Sequence, residues 1–128
     1  PLLRKLKSIS HRLIKNYCQL SDVRGVMDGI INNGKWEEVN IVTTNAMSSR
    51  GGHFHRQTTE VIFMLSGRAE VELFKIKGKN TKLALAAGEG VEIYPETAHT
   101  FYYLEDSSHL QLLSIKFNVN DPDLVEVN

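Results

Sequence analysis

Two histidines two positions apart, His53 and His55, lie in the most chemically loaded stretch of this chain, Arg50-Gly51-Gly52-His53-Phe54-His55-Arg56-Gln57-Thr58-Thr59-Glu60. On a strand, residues i and i+2 point to the same face, so both imidazoles line one wall. Glu60 lies five residues beyond His55, and on one unbroken strand that odd spacing turns its carboxylate to the other face. The polar Arg56-Gln57-Thr58 run predicts a bend that resets the phase and brings Glu60 beside the histidines. Imidazole and carboxylate together suit a borderline divalent metal, and two histidines with one carboxylate make the open facial set of non-haem iron chemistry. His99, at the start of a later strand behind Pro95, is a fourth candidate ligand.

Short strands must position these residues. Thr59 to Leu65 is apolar on both faces, which requires cover on both sides. Ala69, Val71 and Leu73 alternate with Arg68, Glu70 and Glu72, the pattern of a half-buried strand. Further strands are expected over Val26 to Ile31, Trp36 to Thr44 (Val39, Ile41 and Thr43 on one face), Thr81 to Ala86, Val91 to Tyr94, His99 to Leu104 and Leu110 to Phe117. Asp22-Val23-Arg24-Gly25, Asn32-Asn33-Gly34, Gly78-Lys79-Asn80 and Gly88-Glu89-Gly90 supply the turns. Strands with turns at this regular spacing predict an all-β sandwich or barrel with a mouth at one end. At the N-terminus, Leu2, Leu3, Leu6, Ile9 and Leu13 recur at helical spacing and predict a short helix, followed by a strand through Leu13 to Leu20. The tail from Asp121 reads as polar and peripheral, His11 and His109 as surface residues, Trp36 as a packing anchor and Cys18 as inert.

Composition limits the partners. The 128 residues fit one domain, with a barrel at about residues 22–119. Lys plus Arg and Asp plus Glu are 15 each, which leaves no field for nucleic acid or an anionic membrane. No apolar run approaches the ~20 residues of a membrane span. Cys18 is the only cysteine, and with no signal-type apolar segment at the start, the expected compartment is the cytoplasm.

His53-x-His55-x4-Glu60-x6-Gly67 resembles the first cupin motif, and Gly90 to His99, through Tyr94-Pro95, resembles the second. The resemblance spans roughly residues 36–117 and implies a double-stranded β-helix, the cupin jelly-roll barrel. It implies a divalent metal (iron, manganese, zinc, nickel or copper) on His53, His55, Glu60 and His99. The second motif is one residue tighter than the family's between Pro95 and His99, and Tyr103 stands where an asparagine is usual. A homodimer is expected from the size of such proteins.

A narrower resemblance joins Asp22-x-Arg24-Gly25, Glu38-Val39-Asn40 and Arg50-Gly51-x-His53 to the nucleotide-sugar epimerases and ketoisomerases of the cupin fold. It implies that Arg50 holds phosphate and that His53 is a general base. Such chemistry needs a neutral imidazole and positive charge near a developing enolate. Arg56 and Tyr94 join Arg50 as candidates for substrate contact, and Tyr102 is the candidate proton donor; of the adjacent Tyr102 and Tyr103, at most one faces the cavity. The favoured expectation is therefore an isomerase or epimerase of a nucleotide-linked keto-sugar. An iron-dependent dioxygenase and a non-catalytic small-ligand sensor are the alternatives.

Overall fold

The computed structural model describes residues 9–75 and 78–127. Residues 1–8, with most of the predicted helix, lie outside the described part. Where that stretch comes into view it is extended: β1 (His11–Ile14) pairs antiparallel with Gly90–Ile93, so the leucine spacing does not make a helix over Ile9 to Leu13. No helix occurs among the described residues, and none is therefore long and apolar enough to cross a membrane.

The remaining strands are β2 (Cys18–Asp22), β3 (Gly25–Gly29), β4 (Glu38–Thr44), β5 (Ser48–Phe54), β6 (Glu60–Ser66), β7 (Arg68–Lys75), β8 (Asn80–Ala86), β9 (Gly90–Ile93), β10 (Thr97–Tyr103), β11 (Ser107–Leu113) and β12 (Val125–Glu126). Two five-stranded antiparallel sheets form the barrel, ordered β1-β9-β6-β11-β4 and β12-β5-β10-β7-β8. A separate β2–β3 hairpin turns at Asp22 to Gly25, where the Asp22 carboxylate accepts from the Arg24 backbone amide at 2.8 Å. The architecture is the expected cupin barrel.

The main core fills the barrel between β6, β7, β8, β9 and β10, with Met64, Val71, Leu73, Leu85, Val91, Ile93 and Phe101 buried. β7 follows its alternation, with Ala69, Val71 and Leu73 buried and Arg68, Glu70 and Glu72 exposed. β6 is covered on both sides, as its two apolar faces require. Ile62 and Met64 point into the barrel, while Val61 and Phe63 pack outside under Ile14, Ile30, Ile31 and Trp36. Trp36 is thus a packing anchor, and its indole donates to the Asn33 carbonyl at 2.9 Å.

β4 runs against simple hydrophobic patterning. Val39 and Ile41 face outward, 61% and 73% exposed. Glu38, Asn40, Val42 and Thr44 take the less exposed face. Polar side chains that a strand turns inward need partners there, and those partners belong to the site.

Candidate active site

His53 and His55 sit at the end of β5 and Glu60 begins β6, so the bend between them carries the chain from one sheet to the other. That is the phase reset the spacing requires. The bend is pinned from the C-terminal tail. The Asp123 carboxylate accepts from the backbone amides of Arg56, Gln57 and Thr58 at 3.0, 2.8 and 2.8 Å, and from the Thr58 hydroxyl at 2.8 Å. Burial raises the Asp123 carboxyl, but these donors outweigh it and hold the group below the usual carboxylate range. β12 then adds to β5 opposite His53 and Phe54. The tail from Asp121 is therefore a structural strap and not a peripheral end; its sequence hides this because the partners are backbone amides.

The Arg50-Gly51-Gly52-His53 run is a bulge. On β10, Phe101 pairs with Arg50, Thr100 with Gly51 and His99 with His53, skipping Gly52. The skipped residue puts Arg50 and His53, an odd number of positions apart, on the same inner face. Gly51 and Gly52 have φ of 99° and 75°, a region that glycine alone enters cheaply. A β-carbon on Gly51 would also collide with the His99 carbonyl oxygen.

His99 joins the cluster despite the tight second motif. Glu96 takes the left-handed seat of the Pro95 turn, with φ of 65°, and its backbone amide donates to the His55 carbonyl at 2.6 Å. The ring centroids of His53 lie 5.2 Å from His55 and 4.7 Å from His99. Ligand atoms of the three rings fall within 4.8 Å of one another. Glu60 is outside that mutually close set but faces two of its members: its Oε1 lies 3.0 Å from His99 Nε2 and 3.7 Å from His55 Nε2.

The surroundings orient each group. His99 Nδ1 lies 3.1 Å from the Thr97 carbonyl, which turns Nε2 toward Glu60. Gln111 Nε2 donates to Glu60 Oε2 at 2.5 Å, and Asn40 Nδ2 donates to both Gln111 Oε1 and Glu38 Oε2, at 2.9 and 2.8 Å. The inward face of β4 is thus an amide chain behind Glu60. Burial pushes the Glu60 carboxyl up, and the two imidazoles facing it push it down harder, so it is held below its ordinary value. His53 is lowered to about 4 by burial and then by the charges of His99 and His55, which leaves it neutral at pH 7.

The residues fit a divalent metal. His55 Nε2 is buried without a hydrogen-bond partner, as a nitrogen reserved for a ligand would be, and two imidazoles and a carboxylate stand around it.

These side chains line a cavity of about 320 Å³ with Arg50, Phe101, Tyr103, His109 and Leu124. Arg50 stands at its mouth, donating from Nε to the Thr44 hydroxyl at 2.7 Å and from Nη2 to the Thr43 carbonyl at 3.0 Å.

Three sequence candidates lie elsewhere. Tyr102 points to the outer face of the second sheet, beside Glu70, Glu72 and Lys82, with its hydroxyl 3.5 Å from Met47 Sδ. Strand alternation sends Tyr103 inward instead. Arg56 lies in a neighbouring depression with Gln57 and Asp123. Tyr94 falls on the face opposite the buried Ile93, where Glu92 and Arg12 act on its hydroxyl.

His109 corrects the sequence in the other direction. It is buried in the cavity wall, its ring stacked on Tyr103 at 5.9 Å between centroids. The period-2 series His99, Phe101, Tyr103 and His109, Gln111, Leu113 was the available signal.

The two antiparallel sheets close into a barrel of the cupin fold, with the candidate site inside its mouth. Residues 20–124 match the polysaccharide biosynthesis C-terminal domain, and the chain belongs to that family. A comparison with curated proteins gives no match. Among solved structures, the chain is similar to the 3,4-ketoisomerase QdtA from Thermoanaerobacterium thermosaccharolyticum (24% identity, TM-score 0.72, covering 91% of this chain and 86% of that one). It is also similar to the TDP-quinovose 3,4-ketoisomerase WlaRB from Campylobacter jejuni (20%, 0.78, 91% and 92%). The 3'-monoepimerase ChmJ from Streptomyces bikiniensis shares the fold as well (14%, 0.75, 92% and 68%). At these identities the likeness is one of fold.

Proposed function

We propose that the protein is an isomerase of a nucleotide-linked keto-sugar, with His53 as general base. The carrying observation is that Arg50 and an inward-facing His53 share one cavity across a glycine bulge. QdtA has been solved with TDP-4-keto-6-deoxyglucose, and a substrate of that class suits this site. A cavity of about 320 Å³ lies at the small end of ligand pockets. It has room for a sugar ring and leaves the nucleotide at the rim.

His53 removes the proton from the carbon next to the ketone, and the Arg50 guanidinium stabilises the negative charge that develops on oxygen. Burial keeps the imidazole unprotonated and ready to accept. The cluster His53, His55, Glu60 and His99 would hold a divalent ion, which when bound supplies Lewis-acid polarisation of a carbonyl. Ligation and proton abstraction exclude each other at His53. Elemental analysis of protein purified without chelator decides between them: about one ion per chain assigns the cluster to metal, and none leaves His53 free as base.

The test of the function is turnover of TDP-4-keto-6-deoxyglucose. His53→Asn is expected to lower it by about 10³-fold while the fold is kept. Full activity in that variant would reject the role.

We also propose a homodimer that covers the outward Val39 and Ile41 of the edge strand β4. A sedimentation profile of monomer alone counts against it.

A further inference from the structure

The isomerase reading gives work to His53 and Arg50 and leaves a buried pair in the same cavity without any. Tyr103 and His109 are 1% and 2% exposed and line the same cavity as His53. The Tyr103 hydroxyl lies 3.3 Å from His109 Nδ1, and the rings stack within 8° of parallel. The pair sits at the Arg50 end. His109 is in register with Val42 on β4, two residues from the Thr44 that holds the Arg50 guanidinium, and Tyr103 pairs with Ser48 on β5.

We propose that His109, oriented by Tyr103, is the group that carries a proton between the two adjacent oxygens of the hydroxy-ketone substrate. This rests on the isomerase reading. Moving a ketone to the neighbouring carbon takes two proton transfers. One is between carbons, and His53 serves it. The other is between oxygens, and it needs a neutral group that can both give and take a proton there. A neutral imidazole is suited to this role. His109 is lowered to about 4 by burial, and burial raises Tyr103 to about 12, so both are neutral at pH 7. A tyrosine O–H donating to Nδ1 leaves the ring proton on Nε2.

The protons balance. His53 takes the carbon proton and leaves an enolate beside Arg50; the enolate oxygen then takes the Nε2 proton of His109 and becomes the enediol. Nδ1 takes the Tyr103 proton. The neighbouring hydroxyl then returns its proton to Nε2 and becomes the new carbonyl, and Nδ1 gives its proton back to Tyr103. His53 delivers the carbon proton to the former carbonyl carbon. The pair ends as it began, and the substrate is its own isomer.

The experiment follows TDP-4-keto-6-deoxyglucose by NMR in D₂O, scoring the keto shift and deuterium entry at carbon in recovered substrate. His109→Gln is expected to slow the keto shift about 100-fold while KM stays within about threefold. Deuterium entry depends on His53 and falls less, so the ratio of exchange to conversion rises about tenfold or more. Tyr103→Phe keeps the ring packing and is expected to move the same ratio in the same direction, by less. Conversion in His109→Gln within about threefold of wild type overturns the proposal, and so does an equal loss of exchange and conversion. Wild-type protein that exchanges deuterium without any keto shift overturns the oxygen transfer and leaves His53 as a base. Wild-type protein that does neither overturns the isomerase reading itself.

Discussion

The two ends of the barrel interior use the same strand geometry for opposite purposes. Around β7, β8 and β9 the inward side chains are Val71, Leu73, Leu85, Val91 and Ile93, a dry apolar fill. Around β4, β5 and β11 they are Glu38, Arg50, His53, His109 and Gln111, which line a cavity. Close packing makes the first end the source of stability, because each buried aliphatic side chain is worth about 1.5–3 kcal/mol. The second end spends buried area on polar groups that need partners, and it holds them in a network instead of a packed core. A protein that separates these tasks should respond differently to substitutions at each end.

The sharpest contrast is Leu73→Ala, at a side chain only 1% exposed. It is expected to destabilise by about 2–5 kcal/mol in urea unfolding, while the enzyme that remains folded keeps its turnover. A loss of activity without loss of stability would break the division.

Acid should act on the polar end. His53 and His109 are both lowered to about 4 by burial. Between about pH 6.5 and 4 the unfolded chain binds protons that these folded imidazoles refuse, so stability falls as pH drops through that window and levels off below it. The expected loss is about 3 kcal/mol from the buried His109. It is read as unfolding free energy against pH, and His109→Gln should flatten the curve. An unchanged slope in that variant would remove the buried neutral imidazole from the account.

Smaller effects sharpen the comparison. Asp123→Ala removes the acceptor for three backbone amides and a hydroxyl. It is expected to cost about 1–3 kcal/mol and to loosen the bend that joins His55 to Glu60. Asp123→Asn, which keeps one oxygen, should recover part of that loss. At the bottom of the scale is Thr97, whose buried hydroxyl has no partner. Thr97→Val is expected to be neutral or stabilising by up to about 1 kcal/mol in thermal melts, since it removes an unsatisfied polar group at little change of shape.

What the residues alone determined was whatever depends on near neighbours and on period. Alternation on β7, the two apolar faces of β6 and the turn residues pointed to an all-β sandwich or barrel, because a strand's faces are set by its own sequence. The pairing of His53 with His55 and the phase reset before Glu60 were legible for the same reason. What only the tertiary structure decided was which face of each strand became the inside. Tyr102 and Tyr103 are equivalent by alternation until β10 is packed between β5 and β7. Val39 and Ile41 share one face by alternation, and that face turns outward only because β4 takes the sheet edge with Glu38 and Asn40 turned in. The bulge at Gly52 brought Arg50 and His53 to one wall, and Asp123 reached across the chain to hold the bend. These outcomes depend on register with a distant strand or on hydrogen bonds to a distant backbone, and the contribution of each such contact is settled by the partner and not by the residue's own neighbours.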